Sequence, residues 1–426
     1  MHTRHINISR RSLGNRISLI VLAAFSLFLQ ACGGSAGHVT QPYRAGDVGA
    51  AQADPNAMSA GEEIPADNSL PQVKVAILLP LSGNNAALGE AMLKASQMAL
   101  FDLGHSNFEI IPKDTGETEQ GGRAAATEAI NEGAQLILGP VFADSVRGAQ
   151  SVIAGKNINM VSFSTDWTLA NGQTYLIGFL PFDQVERVVQ YARARGLQRF
   201  GVLTPDDDYG NAVINAYQQT AKQQGITGTR LERFSPRAAD LSIMVRDFSD
   251  FDKRQSMGDS LGTPFDAVLI PAGGGLARSL GSFMNHYGLP PDQVRRLGTG
   301  LLDDTRLARD PGLAGAWFAA PPPKTRIDFE NRFRRYYAQT PPRLASLAYD
   351  ATALAATLSR MSLQQKGQVD FSRSALMNPN GFAGVDGIFR FRKDGIAERG
   401  LSVLEYRDGR IIEIDPAPRT FQVKSQ

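Results

Sequence analysis

Three short runs in this chain carry residue types at spacings that chemistry could use. Gly273-Gly274-Gly275 lies between a strand-like run and a helix-like one, with Arg278 close by. The amides of such a turn could cradle an anion. Its spacing matches neither the phosphate-loop nor the dinucleotide pattern, so the plainer reading is a tight strand-to-helix turn lining a cleft. Asp206-Asp207-Asp208 invites a metal. A calcium loop, however, alternates its oxygen ligands and closes on a distal glutamate that is missing here, so a helix cap with acids in the first turn is expected. Arg332, Arg334 and Arg335 with Tyr336 and Tyr337 make a basic, aromatic helical patch. It reads either as a contact for a partner or envelope polymer, or as a solvated face with buried aromatics.

Covalent chemistry finds little material. Of the five histidines, His2, His5 and His38 precede the region expected to fold, and His105 and His286 lie far apart. The single cysteine is Cys32, so no disulfide can close within the chain and no all-cysteine zinc site can form. No nucleophile, base and acid stand together, and the chain is expected to be neither an enzyme nor the holder of a cofactor or metal. The formal charge of +2 is uneven: residues 1–31 hold four arginines and no acid, which leaves 40 basic against 42 acidic residues in the rest. That balance offers no basic stripe for nucleic acid.

The element that must position any site is 73–89, VKVAILLPLSGNNAALG. An apolar run ends at Pro80 and a polar turn, Ser82-Gly83-Asn84-Asn85, and Met92, Ala95, Ala99 and Leu103 then recur at helical spacing. An unbroken apolar run suits a parallel strand buried on both faces. The turn at its carboxyl end is where such folds bind ligands, which makes Ser82 and Asn84 candidates. Strand-like runs recur at 108–112, 135–139, 159–163, 199–203 and 267–271. Helical runs lie at 122–132, 146–155, 183–195, 210–224 and 276–287. This alternation predicts an α/β fold of βαβ units in two Rossmann-like lobes with parallel sheets. The expected lobes are 72–183 plus 316–365, and 184–315 plus 366–416. The strand-like 316–320 and the following prolines would cross back to the first lobe, where helices at 327–339 and 344–361 follow. In the tail, 387–392 and 401–406 alternate in polarity around turns, which predicts an antiparallel meander on an edge of the second lobe.

The amino terminus reads differently. Arg4, Arg10, Arg11 and Arg16 precede an apolar run at 17–29, short for a membrane span and apt for a signal peptide over 1–31. Leu29-Gln30-Ala31-Cys32 resembles the bacterial lipobox, and that resemblance implies acylation of Cys32. Gly33 rather than an aspartate follows the cysteine, which favours the outer over the inner membrane. The remainder of 32–71, rich in small residues, proline and acids, predicts a flexible, disordered tether. Such a chain spans roughly 35 Å on average and about 125 Å when stretched.

Four motifs carry a wider resemblance. Residues 75–83 (VAILLPLSG), Leu138-Gly139-Pro140, Asp208-Tyr209-Gly210 and Ala348-Tyr349-Asp350-Ala351 resemble the type I periplasmic binding proteins of the branched-chain amino-acid receptor group, over roughly 73–414. The resemblance implies two lobes joined by three crossovers and closing on a cleft. It places Ser162, Ser164, Thr165 and Tyr209 among the cleft residues. Other expected groups are replaced. The first-turn aromatic falls at Leu88 and a serine near Ala143. The second-lobe tyrosine and acid fall near Gly274 and Gly300, with Asp303 or Asp304 as the nearest substitute for the acid. A zwitterion needs both donors and an anion to offset its desolvation. On this reading the ammonium site is mostly missing.

A second group with this fold fits better: the carboxyl-terminal domain of the lipoprotein activators of penicillin-binding proteins. The opening ILLPLSGNNAALG and the tail 384–409, GVDGIFRFRKDGIAERGLSVLEYRDG, resemble it. The helical repeat domain that precedes it in the enteric activators is replaced here by the tether. The expected function is therefore a non-enzymatic activator of a peptidoglycan synthase, held on the periplasmic side of the envelope. The alternative is the amino-acid-binding component of an ABC importer, with a permease as partner.

Overall fold

The computed structural model describes residues 43–44, 71–104, 107–235, 241–257 and 262–421. The expected signal peptide, Cys32 and nearly all of the tether lie outside the described residues. After the two-residue strand β1 (Tyr43–Arg44), the chain enters β2 (Val73–Leu79), whose side chains are all buried except the partly exposed Lys74. Burial on both faces explains the absence of alternation in this strand, and each fully buried Val, Leu or Ile contributes about 1.5–3 kcal/mol. Then follow α1 (Ala86–Leu103), β3 (Phe108–Asp114), α2 (Glu119–Asn131), β4 (Leu136–Leu138), α3 (Ala143–Ile153), β5 (Asn159–Ser162) and β6 (Thr174–Leu176). The five strands form a wholly parallel sheet in the order β3-β2-β4-β5-β6.

The helices on this sheet rest on glycine. A Cβ at Gly148 would stand 1.9 Å from the carbonyl of Glu119, and one at Gly122 would stand 2.1 Å from that of Ser145. Thus α2 and α3 touch backbone to backbone. Gly148→Ala is expected to lower stability by about 1–3 kcal/mol through overpacking, read as a fall in the urea midpoint at unchanged slope.

The second lobe begins at α4 (Pro181–Ala194) and continues through β7 (Phe200–Pro205), α5 (Asp208–Gln224), β8 (Arg230–Phe234), α6 (Leu241–Phe248), α7 (Phe251–Met257), β9 (Ala267–Leu269), α8 (Gly274–His286), β10 (Arg295–Gly298) and β11 (Trp317–Ala320). The chain then returns through α9 (Pro323–Tyr337), α10 (Ala345–Lys366) and α11 (Arg373–Leu376), and finishes with β12 (Phe382–Gly384), β13 (Gly387–Phe391), β14 (Ala397–Arg399), β15 (Ser402–Arg407) and β16 (Arg410–Asp415). The second sheet has the order β16-β15-β11-β10-β9-β7-β8. It is parallel from β8 to β11 and closes with two antiparallel strands. Three crossovers join the lobes, at 177–180, 321–323 and 400–401. The longest helix, α10, is buried almost all round and packs on α1. No described helix is long and apolar enough to cross a membrane.

Two expected boundaries move. β11 pairs with β10 and β15, so 316–320 belongs to the second lobe and the proline run itself is the return crossing. Prolines lack the donor a ladder needs, so they end the strand at the point where it leaves the sheet. Residues 382–399 also change side. β12, β13 and β14 form a separate small sheet with β1, and Phe382, Phe389 and Phe391 pack into the core of the first lobe. Only β15 and β16 form the expected meander on the edge of the second sheet. Alternating polarity shows that one face of a strand is buried, but not which core receives it.

Candidate functional site: the cleft at the strand ends

Adjacent parallel strands bring their carboxyl ends to one edge of each sheet. In the first lobe, the turn after β2 carries Ser82 and Asn84, both exposed. Three amides at this turn, those of Leu81, Ser82 and Asn85, are already taken. Leu81 and Ser82 donate backbone N–H bonds to Asp114 Oδ1 at 2.9 and 3.2 Å. Asn85 donates its backbone N–H to Glu117 Oε1 at 2.7 Å and its side-chain amide to Oε2 at 3.0 Å. Burial pushes the Asp114 carboxyl up, but the bonds from Ser82, Gly116 and Leu81 outweigh it and hold the group below its usual value. Glu117 adopts φ 62°, a left-handed conformation that is strained for a residue other than glycine. Its two bonds to Asn85 offset part of that strain.

After β5, the buried Ser162 donates its hydroxyl to the Pro140 carbonyl at 2.9 Å and accepts the Ser164 amide at 3.1 Å. Ser164 Oγ, also buried, accepts the Asp166 amide at 3.1 Å. Thr165 is exposed. Across the cleft, Tyr209 in the first turn of α5 shares a hydrogen bond of 2.8 Å with Thr299 Oγ1, and burial pushes its phenol well above the usual range. Gly274 opens α8 at φ 55° with open space around it, and Gly300 donates its amide to Gln184 Oε1 at 2.6 Å. Asp303, the substitute acid, has its own cation: Arg326 of α9, in the other lobe, at 3.0 Å. The two side chains are 3% and 16% exposed, and Arg326 also pairs with Glu330 at 2.9 Å. Burial pushes the Asp303 carboxyl above its usual value, while Arg326 and Arg343 oppose that. Of the candidate residues, Asp303 is the one whose ionic partner lies across the cleft.

A buried ion cluster pins the crossovers. Arg343 donates to Asp386 at 2.8 Å, and Ser346 donates its hydroxyl to the same carboxylate at 2.7 Å. Asp350 accepts the amides of Val385 at 2.6 Å and Asp386 at 3.2 Å. Arg399, beside the third crossover, donates to the Ile177 carbonyl at 2.6 Å in the first. Its guanidinium lies 5.0 Å from the ring centre of Phe179, and Arg343 lies 4.1 Å from the same ring. The carboxyl of Asp350 is pushed up by burial and by Asp386. The carboxyl of Asp386 is pushed up by burial but pulled further down by Arg343 and Arg399.

The runs that invited chemistry find structural uses. Arg278, beside the glycine triplet, pairs with Asp310 at 3.2 Å rather than facing the turn. Asp207 caps α5 by accepting the Gly210 amide at 2.8 Å, and Asp206 pairs with Arg233 at 2.5 Å. Among the described residues no group of His, Cys, Asp and Glu is placed to hold a metal. In the basic helix, Arg332 pairs with Asp102 at 2.5 Å, and Tyr349 donates to the same carboxylate at 2.7 Å. Phe333 is buried and Tyr336 exposed.

Sequence reasoning missed Asp114, Glu117 and Arg326, which supply partners to the turn and to Asp303, and Arg343, Asp386 and Arg399, which lie together beside the crossovers. Asp114 and Glu117 carry one available signal: they flank the turn that ends an apolar run in the strand next to β2. The arginines give none, because Arg326, Arg343 and Arg399 meet Asp303, Asp386 and Ile177 across 23, 43 and 222 residues.

A family model described as periplasmic binding protein matches residues 72–410. A structure of a putative branched-chain amino acid ABC transporter from Rhodospirillum rubrum superposes with a TM-score of 0.68 at 16% identity, covering 80% of this chain and 100% of that one. The LpoA (YraM) C-domain from Haemophilus influenzae, a regulator of PBP1A, gives 0.58 at 17% identity over 80% and 99%. The leucine binding protein LivK of Thermotoga maritima gives 0.56 at 20% identity over 81% and 98%. Among curated proteins, an uncharacterized protein of Rickettsia prowazekii is 22% identical over 179 residues, 42% of this chain and 48% of that one. This chain therefore spans about half the length of that relative.

Proposed function

Because this chain belongs to the periplasmic binding protein family, we propose that it uses the family's two lobes as a regulator rather than as a solute receptor. On this reading it is a lipid-anchored, non-enzymatic activator of a penicillin-binding protein in the periplasm. Cys32 is the acylated residue, and the tether lets the lobes work at a distance from the membrane, outer rather than inner. One observation carries the reading: the strand-end turn and Asp303, which would receive a free amino acid, already have partners within the chain. Asp114 and Glu117 take three amides at the turn, and Arg326 stands where a ligand's ammonium would meet Asp303. A solute would have to replace these bonds with no net gain in charge pairing. The ion cluster at the crossovers supports the same reading, since a receptor must hinge there.

The test is a pull-down of purified penicillin-binding proteins followed by their polymerisation rate with and without this protein. A retained synthase whose rate rises is the expected result, and neither retention nor a rate change would overturn the reading. The second reading, an amino-acid receptor for an ABC permease, draws on the resemblance to the Rhodospirillum rubrum structure and on the exposed Asn84 and Thr165. It requires that Asp303 part from Arg326 on binding.

A further inference from the structure

A cavity of about 210 Å³ lies away from the cleft, where the flank of α4 and α5 faces the first lobe. One wall is Trp167, with the β13–β14 turn that carries Arg392. The other holds Phe182 and Glu186 of α4 with Gln219 and Gln223 of α5. Tyr209, which faces the cleft, is at the opposite end of α5. We propose that this cavity binds a neutral pyranose ring, as one residue of a glycan chain. The inference does not need the regulatory reading above and would stand if that reading fell.

Trp167 and Phe182 are half-buried and meet edge to face, with ring centres 6.0 Å apart at 90°. Half-buried aromatic rings offer a negative face to the slightly positive C–H groups on one side of a sugar ring. The one cation of the cavity is already matched: Arg392 pairs with Asp394 at 2.7 Å, stands 4.0 Å from Asp183 and lies over Phe182 at 5.9 Å. An anionic ligand would therefore find no free counter-ion, and its desolvation would go uncompensated. The groups left over are two amides and one carboxylate. Gln219 and Gln223 are exposed and make no hydrogen bond among the described residues. Each amide both donates and accepts, as a sugar hydroxyl does. Glu186 accepts one bond from Gln190 at 2.8 Å and has lone pairs left for hydroxyl donors. The volume lies below the roughly 300–1,000 Å³ of pockets for drug-sized ligands, and suits a single ring.

Trp167 reports on its own occupancy. The chain has two tryptophans, so Trp317→Phe leaves Trp167 as the sole emitter. Fluorescence of this variant is followed during titration with N-acetylglucosamine, with chitotetraose and with glutamate. The expected result is a saturable change with a sugar and none with glutamate, weakened at least about fivefold when Gln219→Ala and Gln223→Ala are added. Both glutamines are exposed, so the fold should survive their loss. Tighter binding of the tetraose marks a chain as the occupant, and equal binding marks a free sugar. No saturable change with either sugar through the millimolar range, a response to glutamate, or binding unaltered by the double substitution would each overturn the proposal.

Discussion

Asp386→Ala should destabilise the protein by about 3–5 kcal/mol, the loss expected when one member of a buried ion group is removed. The Asp386 side chain is 0% exposed and pairs with Arg343 at 2.8 Å. Its charge also offsets that of Arg399, which is buried between the rings of Phe179 and Phe389. Without this carboxylate, both arginines lose the acid that acts on them most strongly, and Ser346 loses an acceptor. The three crossovers meet around this cluster, so the loss should loosen both lobes together. It should appear as a lower urea midpoint for the whole molecule. Asp328→Ala is the matched surface control. Its partner Lys324, at 2.8 Å, is a solvent-screened contact, and the change should stay within about 0.5 kcal/mol. A shift below about 1 kcal/mol in Asp386→Ala would show that the cluster does not hold the hinge.

The second large effect is one of pH. Asp183, in the first turn of α4, accepts the Arg399 amide at 2.8 Å. Burial pushes its carboxyl up to about 7, against the opposing pull of that amide and of Arg392. In the unfolded chain the same group titrates near its usual value of about 3.9. Between those values the native state binds more protons, so this group lowers stability as pH rises from about 4 to 7. At about 1.4 kcal/mol per unit, the full penalty at pH 8 is on the order of 2–4 kcal/mol. Asp183→Asn keeps the acceptor and removes the charge. It should be more stable than the parent by about 2 kcal/mol at pH 8, with the gap closing towards pH 4.5, as read by urea unfolding across pH. Parallel profiles would contradict this account of Asp183.

The fold was legible wherever burial erased polarity. β2, β4 and β9 are continuous apolar runs, and their connecting helices follow at regular spacing, so two parallel-sheet lobes could be read directly. β8 and β10 were not legible. β8 is an exposed edge strand, RLERF, whose charges face solvent. β10 carries Arg296, which is fully buried because it donates to the carbonyls of Gly312, Val294 and Leu289. A charged residue satisfied by distant carbonyls looks like surface in one dimension. The same limit governs the site. The strand-end turn at Ser82 and the position of Tyr209 are local features and were readable. That Asp303 belongs to Arg326, or the turn amides to Asp114 and Glu117, depends on how the chain folds back across a cleft.

The cleft can be challenged most directly by thermal unfolding in the presence of each common amino acid at high concentration. A bound ligand at a hundred times its Kd would stabilise the native state by about 2.7 kcal/mol. With Asp303 and the strand-end turn held by partners within the chain, no amino acid should move the midpoint. A clear rise with any one of them, abolished by Ser164→Ala and Tyr209→Ala, would show that the cleft still receives a solute.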